Sequence, residues 1–586
     1  MMKKLAKKTV VIVGGGLSAG LVARQLTAQG VEVLVLERGG DRSQGPEARL
    51  PSQRDELRWD VNQGLIQDWS RETYTARHSS SEQAVPVRWM EAFLPGEGIG
   101  GAGNHWNGHT WRWAEYEPRL RSHYVERYGK QAIPDTMPLQ DWGVTYGEME
   151  PYHELFEQLF GLSGKAGNLK GQRQPGGNPF EAPRRTEYPQ KPLEITEAGV
   201  LFKTTCETLG YHPFPIPASN SSGSYTNPDG QKLGPCQYCG HCERFICEAS
   251  AKASPELLLY PVLRQRKSFE LRPHAHVLGI DYDARSKRAR AVRYLDLRTG
   301  EVYEQPADVV VLAAFTMTNT RLLLNSRIGR PYDPATRRGV VGKNFCYQAN
   351  ASIDIFRKDH WFNPYFASGC TTTAIDDFNN DNFDHRGLGF LGGGLIGASQ
   401  SGGRPIKTRR VPPGTPAWGT AWKQANADWY NHAMTLTILG SCYPDHDNYL
   451  SLDPVHTDAF GQPLVRMTFD FRANEQRMLA YVGARMKAIA EAIGGDVIGP
   501  LNASIAPFDT RNYQSTHITG GTVMGADPLN SVVSPHLQHW DAANLFVVGA
   551  SVYDHNSSFN PTGPLAALAL RLGDDLLRYV ARPGWL

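Results

Sequence analysis

The chain has 586 residues, more than one hydrophobic core usually organises, so two domains or a large interleaved pair are expected. Its 40% hydrophobic and 20% charged residues are ordinary for a globular enzyme. A formal net charge of +2, from 61 basic and 59 acidic residues, gives no electrostatic footprint for nucleic acid, and no apolar run is long enough to span a bilayer.

Met1 to Lys8 is basic, as the start of a signal peptide would be, but the apolar stretch Thr9 to Val13 is too short for the apolar core of one, and no twin-arginine pair precedes it. Export, if it occurs, is expected to depend on a partner. Lys8 to Val13 reads as a buried parallel strand rich in β-branched residues. Gly14, Gly16 and Ala19 then fit G-x-G-x-x-G/A, and Leu21 to Leu26 continues as a helix. The first glycine permits the tight turn, the second lets backbone approach a pyrophosphate, and the small third residue lets helix pack on strand. A second strand, Val31 to Leu36, ends in Glu37, a carboxylate placed to accept from ribose hydroxyls. Together these point to a dinucleotide; a plain βαβ unit is the alternative, and the fingerprint does not separate NAD from FAD.

Gly96 to Gly108 is too glycine-rich for a helix or strand, and its backbone N–H groups can line a pyrophosphate or ribityl chain. Further along, Cys236, Cys239, Cys242 and Cys247 have x2, x2, x4 spacing within twelve residues. That spacing fits an iron–sulfur cluster, with zinc as the structural alternative, and Gly240 eases the turn. Cys206, Cys346, Cys370 and Cys442 are scattered and read as small buried hydrophobes. Val309 to Ala314 is strand-like and leads into a helical stretch, Thr318 to Leu323.

Between about 336 and 500, short strand-like runs (Ala351 to Phe356, Met434 to Leu439) broken by Gly- and Asn-rich turns predict an antiparallel sheet. Gly402 to Pro416 reads as a surface loop. Glu475 to Ala492 has helical periodicity through Met478, Leu479, Val482, Met486, Ile489 and Ala492. Near the end, His517 sits in Thr-His-Ile-Thr-Gly-Gly; Asn544 to Ser551 reads as a buried strand, and Asn560-Pro561 precedes an apolar helix, Leu565 to Leu572. A histidine titrating near neutrality suits removal of a hydroxyl proton, and an asparagine amide can hold the same oxygen. Read singly, His517 is a packed strand residue and Asn560 a helix start. His555 reads as a loop residue lining a cavity or the surface.

The glycine loop 96–108, Asp141 to Tyr152, the strand and helix of 309–323, Gly339 to Asn344 and the His517…Asn560 segment together resemble the glucose-methanol-choline (GMC) oxidoreductase family over nearly the whole chain. Phe315 departs from the family's usual glycine. The resemblance implies an α/β fold with a Rossmann-like FAD-binding domain interleaved with a substrate domain on an antiparallel sheet. The expected segments are 1–155, 195–335 and 500–586 for the flavin, 336–499 for the substrate, and 156–194 as a linker or insertion. It assigns His517 as general base and Asn560 as its partner. It assigns Gly14, Gly16, Ala19, Glu37, Arg38, Gly100, Gly101, Asn104, His105, Trp106, Val277, Ala313, Ala550, Ser551 and Thr562 to the cofactor site, with His105 either bonded covalently to the flavin or packed beside it. The cysteine region is similar to the large flavoprotein subunits of bacterial membrane-bound gluconate 2-dehydrogenases and related sugar dehydrogenases. That likeness implies a [3Fe–4S] rather than a [4Fe–4S] cluster and oxidation of a sugar or sugar-acid hydroxyl to a ketone. It also implies a small subunit, a cytochrome c or quinone-linked acceptor, and a place on the periplasmic face of the inner membrane. A soluble glycoside 3-dehydrogenase, a pyranose-type oxidase with a structural metal site, and a non-catalytic electron-transfer subunit are the alternatives.

Overall fold

The computed structural model describes residues 2–41, 65–88, 92–243, 246–364, 366–369, 372–399, 410–504, 506–512 and 515–586. Cys370 and residues 402–409 of the expected surface loop lie outside the described residues.

The first sheet begins with β1 (Lys8–Val13), whose last four residues are buried, and passes through α1 (Leu17–Ala28) to β2 (Val33–Leu36), which is buried throughout. Such β-branched runs, buried on both faces, are what a parallel sheet covered by helices requires. The chain leaves this sheet, forms α2 (Tyr146–Phe160), and returns as β3 (Phe269–Arg272) parallel to β2. A meander follows: β4 (Ala275–Asp283), β5 (Arg288–Asp296) and β6 (Val302–Leu312). β6 is long enough to serve twice. Val302 to Pro306 pairs antiparallel with β5, while Ala307 to Leu312 runs parallel to β1, with Val311 opposite Ile12. The helix α3 (Thr316–Asn325) follows directly. Phe315, at its start, has φ −64° and ψ 153°, extended backbone that needs no glycine.

The second sheet is antiparallel and built on β7 (Ala349–Phe356), β8 (Thr373–Ile375), β9 (Gly394–Ser399) and β10 (Ala433–Gly440), in the spatial order β7-β10-β9-β8. Val497–Ile498 and Asn502–Ala503 pair with β7, and Phe214–Pro215 extends the far edge beyond β8. Strands from outside 336–499 therefore complete this sheet. α4 (Ala473–Ile493) covers it, setting Met478, Leu479, Val482, Met486 and Ile489 into one core with Ile353, Leu436 and Ile438. That three-four spacing is the apolar stripe anticipated for Glu475 to Ala492, and Gly494 at φ +71° ends the helix.

β11 (Leu545–Val547) re-enters the first sheet beside β6, with Val547 opposite Leu312, and α5 (Thr562–Ala581) closes the chain. α5 outruns the expected Leu565 to Leu572 because its apolar stripe continues through buried Leu576 and Tyr579. The parallel order β3-β2-β1-β6-β11 ends β1, β6 and β11 at one level, since Val13, Leu312 and Val547 are in register. Ligands of open parallel sheets bind beyond these carboxyl ends. Cys206, Cys346 and Cys442 are buried, as expected of small hydrophobes.

Candidate functional site: a dinucleotide cavity, a His–Asn pair and a cysteine cluster

Beyond the carboxyl ends of β1, β6 and β11 lies a cavity of about 1690 Å³, its open mouth included. Gly14, Gly16, Glu37, Arg38, Gly101, Trp106, Val277, Ala313, Ala550 and Thr562 all line it. Gly14 has φ +97°, and a Cβ there would meet the Ala313 carbonyl oxygen at 2.8 Å; the turn admits no side chain. At Gly16 an added Cβ would meet nothing within 4 Å, so the open space above the α1 N-terminus is room for ligand rather than protein. The Gly96–Gly108 loop is tied to the first turn by the Gly100 N–H, which donates to the Gly15 carbonyl at 2.8 Å.

Glu37 is buried. Its carboxylate accepts from the N–H groups of Gly15 (2.7 Å), Gly39 (2.8 Å) and Gly98 (3.1 Å). Burial pushes its pKa above the ordinary carboxylate range, opposed by those N–H groups and by Arg38. Three of about four acceptor positions are thus used within the chain, which leaves one for a ribose hydroxyl. The cavity, the open face at Gly16 and this carboxylate fit a bound dinucleotide.

The other assigned residues stand behind the wall. Ala19 packs α1 on the sheet, and Gly100 carries the loop turn at φ +93°. Asn104 donates to the Ile99 carbonyl at 2.7 Å and to Glu256 at 3.1 Å. The Ser551 hydroxyl accepts from Asn319 at 3.0 Å. His105 is buried beneath the loop and does not line the cavity, whereas its neighbour Trp106 does. Trp106 is thus the residue of this pair at the cavity wall, with His105 directly behind it in the chain.

His517 lines the opposite end of the same cavity. The short strand Ile518–Thr519 pairs antiparallel with Cys346–Tyr347, which brings Gln348 level with His517: the Gln348 N–H donates to the His517 carbonyl at 3.1 Å. The Gln348 Nε2 donates to the carbonyls of Ser557 (3.0 Å) and Phe559 (3.4 Å), so its Oε1 is turned to His517 Nδ1 at 2.7 Å. Nδ1 therefore carries the proton, and Nε2 presents its lone pair. Asn560 Nδ2 lies 3.1 Å from that Nε2, and its Oδ1 accepts from the Trp111 indole N–H at 2.8 Å. Trp111 is itself stacked on Phe559, ring centroids 5.1 Å apart. Both amide orientations are thus fixed by partners outside the pair. Desolvation pushes the His517 pKa down to about 3, helped by the neighbouring His109, so the imidazole is neutral at ordinary pH. His109 stands beside Asn560, with Nε2 on the Gly369 carbonyl, and burial lowers its pKa too.

Gln348, Trp111 and His109 escaped the sequence reading because nothing in their local patterns marks them. His555 was expected at a cavity or surface. It is instead a core histidine, 1% exposed, packed against Trp142 and Tyr443 and 3.4 Å from Glu117.

Cys236, Cys239, Cys242 and Cys247 line one cavity of about 470 Å³, its open side included, together with His241, Asn220 and Lys252. Gly240, at φ +76°, turns the chain between them. Desolvation pushes the Cys236 thiol up to about 12 and raises Cys242 as well; around Cys242 the Lys252 charge acts in the opposite direction. A metal that replaces the thiol protons would supply the positive charge this set needs, so the donor set fits an iron–sulfur or zinc site.

Glu72 and His276 also line the dinucleotide cavity, and with buried Asp458 they have ligand atoms within 4.8 Å of one another. Arg321 bridges Glu72 (3.1 Å) and Asp458 (2.7 Å), and Arg38 adds a second guanidinium on Glu72 at 3.0 Å. Arginine here plays the part a cation would.

Family models described as GMC oxidoreductase match residues 140–350 and 444–569. The gluconate 2-dehydrogenase flavoprotein of Pantoea cypripedii is 44% identical over 570 residues, 96% of this chain and 92% of that protein. The fructose dehydrogenase large subunit of Gluconobacter japonicus is 26% identical, covering 98% and 99%. The crystal structure of pyridoxine 4-oxidase from Mesorbium loti shares the fold, with TM-score 0.60 at 16% identity over 98% of this chain and 99% of that one. The chain belongs to the GMC oxidoreductase family, and it is an FAD-dependent oxidoreductase acting on a CH–OH donor.

Proposed function

We propose that this flavoprotein is a dehydrogenase that converts a secondary hydroxyl of a sugar or sugar acid, gluconate-like, into a ketone. The observation that carries the reading is the fixed tautomer of His517. With Nδ1–H donated to Gln348, the Nε2 lone pair faces Asn560 at the end of the FAD cavity. His517 Nε2 takes the hydroxyl proton, and the Asn560 Nδ2–H donates to the same substrate oxygen, orienting the carbinol C–H. When bound, FAD supplies the two-electron acceptor for the carbinol hydride. Gly14, Gly16, Glu37, Gly101, Trp106, Val277, Ala313, Ala550 and Thr562 would hold it, with His105, behind Trp106, either bonded to the flavin or packed beside it.

Three of the four cysteines would hold an iron–sulfur cluster, [3Fe–4S] by resemblance, which supplies a one-electron carrier between flavin and an external acceptor. The similarity to a protein named as a large subunit supports a small subunit and a cytochrome- or quinone-linked acceptor as partners. No helix among the described residues is long and apolar enough to cross a membrane, so placement at the periplasmic face would fall to those partners.

The test is spectroscopic. Gluconate and related sugar acids are offered anaerobically to the purified protein while flavin absorbance is followed. Bleaching with one of them, slowed about 10²–10⁴-fold in His517→Ala, supports the reading. Bleaching that survives this substitution sinks the assigned base. A purified protein without iron sinks the electron carrier.

A further inference from the structure

The cysteine cavity and the FAD cavity are joined through Cys242. The Lys252 ammonium, on a side chain 3% exposed, donates to the Trp106 carbonyl at 2.6 Å and to the Cys242 carbonyl at 2.5 Å. Asn220, 1% exposed, repeats the pattern one residue along: its Nδ2 lies 3.3 Å from the Asn107 carbonyl and 3.5 Å from Cys242 Sγ. Trp106 lines the FAD cavity, and its indole N–H is fixed to the Ala253 carbonyl at 2.9 Å, next to Lys252. The approach is possible because Gly108, at φ +100°, has no side chain; a Cβ there would stand 2.2 Å from Asn220 Oδ1. Two side chains thus reach from the flavin-bordering loop to the same cysteine, one bringing a positive charge and the other an N–H aimed at sulfur.

We propose that Lys252 and Asn220 are positioning residues that clamp Cys242 to the flavin loop and raise the reduction potential of the iron–sulfur cluster held in the cysteine cavity. The proposal rests on the cluster reading above. A reduced cluster is one charge more negative than its oxidised form, so a nearby ammonium and a hydrogen bond to sulfur both favour the reduced form. Through this clamp Cys242 becomes the ligand on the flavin side, and Lys252 tunes how readily the cluster accepts an electron. Removal of either clamp therefore shifts the potential downward, and both shifts act at Cys242, Asn220 through its sulfur and Lys252 through its charge beside the backbone carbonyl.

The experiment is an anaerobic redox titration of the purified holoprotein, with the cluster followed by electron paramagnetic resonance and iron counted per flavin. Lys252→Met is expected to lower the cluster potential, and Lys252→Arg, which keeps the charge, to restore most of it. Asn220→Ala is a second, smaller downward shift, independent of whether Lys252→Met folds. Unchanged potentials at wild-type iron content in these variants overturn the proposal. Loss of iron from both Lys252→Met and Asn220→Ala also counts against it, since the pair would then only hold the protein together. Absence of iron from the unsubstituted protein is a distinct failure and falls on the cluster reading itself.

Discussion

At the scale of single residues, the His517–Asn560 pair is held by two side chains outside it. Gln348 holds the His517 tautomer and Trp111 holds the Asn560 amide. Gln348→Met should leave Nδ1 without its acceptor and lower kcat/KM about 10²-fold, with flavin content unchanged; steady-state kinetics beside the flavin spectrum decides it. The pH dependence carries a sign. Desolvation holds the His517 pKa down near 3, below its ordinary 6.5, so the imidazole proposed as base stays neutral as pH falls through 6.5. The acid limb of kcat/KM is therefore expected well below pH 6.5, and a limb centred near 6.5 would contradict the structure. His517 and Asn560 were legible in the sequence because their segments form a recognisable pair 43 positions apart. Gln348 and Trp111 were not, because they reach the pair from 169 and 449 positions away, separations no local pattern records.

At the scale of elements, the β1–α1 turn separates folding from cofactor binding. Gly14→Val would drive a side chain into the Ala313 carbonyl at an unfavourable φ, so reduced soluble yield and stability are expected. Gly16→Ala adds a Cβ with no protein atom within 4 Å, so the fold should persist while the methyl occupies space proposed for the pyrophosphate. A folded protein purified without its yellow colour is the expected result. α2 offers a contrasting test of stability. Its Glu157, buried, accepts from Arg112 at 2.6 Å and from Arg184 at 2.5 Å. Glu157→Gln leaves two buried guanidiniums short of their counter-charge and should cost about 3–5 kcal/mol in a denaturant titration. The exposed Arg119–Glu126 pair should be worth under about 1 kcal/mol in the same assay. The βαβ unit and α4 were readable because hydrophobic period and glycine spacing act within a few residues. The edge strands Phe214–Pro215 and Asn502–Ala503 were not, since two-residue strands have no period and exist only by pairing with the sheet.

At the scale of the molecule, the cavity is walled by segments around residues 14–16, 101–106, 277, 313, 517, 550 and 562, drawn from almost the whole chain. FAD that binds only this assembled form should stabilise all of it together, by about 2.7 kcal/mol at a free concentration 100 times Kd. Denaturation of stripped and reconstituted protein measures this, and a flavin-independent midpoint would argue against the shared wall. The sequence by itself determined the dinucleotide turn, the family and the His517 and Asn560 segments that the fold brings together, because glycine geometry and short motifs are written in neighbouring residues. Only the tertiary structure decided the rest: which partner holds each nitrogen of His517, which loop residues reach the cavity wall, and which cysteine Lys252 and Asn220 contact. Each depends on hydrogen bonds between residues that the chain brings together only when both sheets are formed.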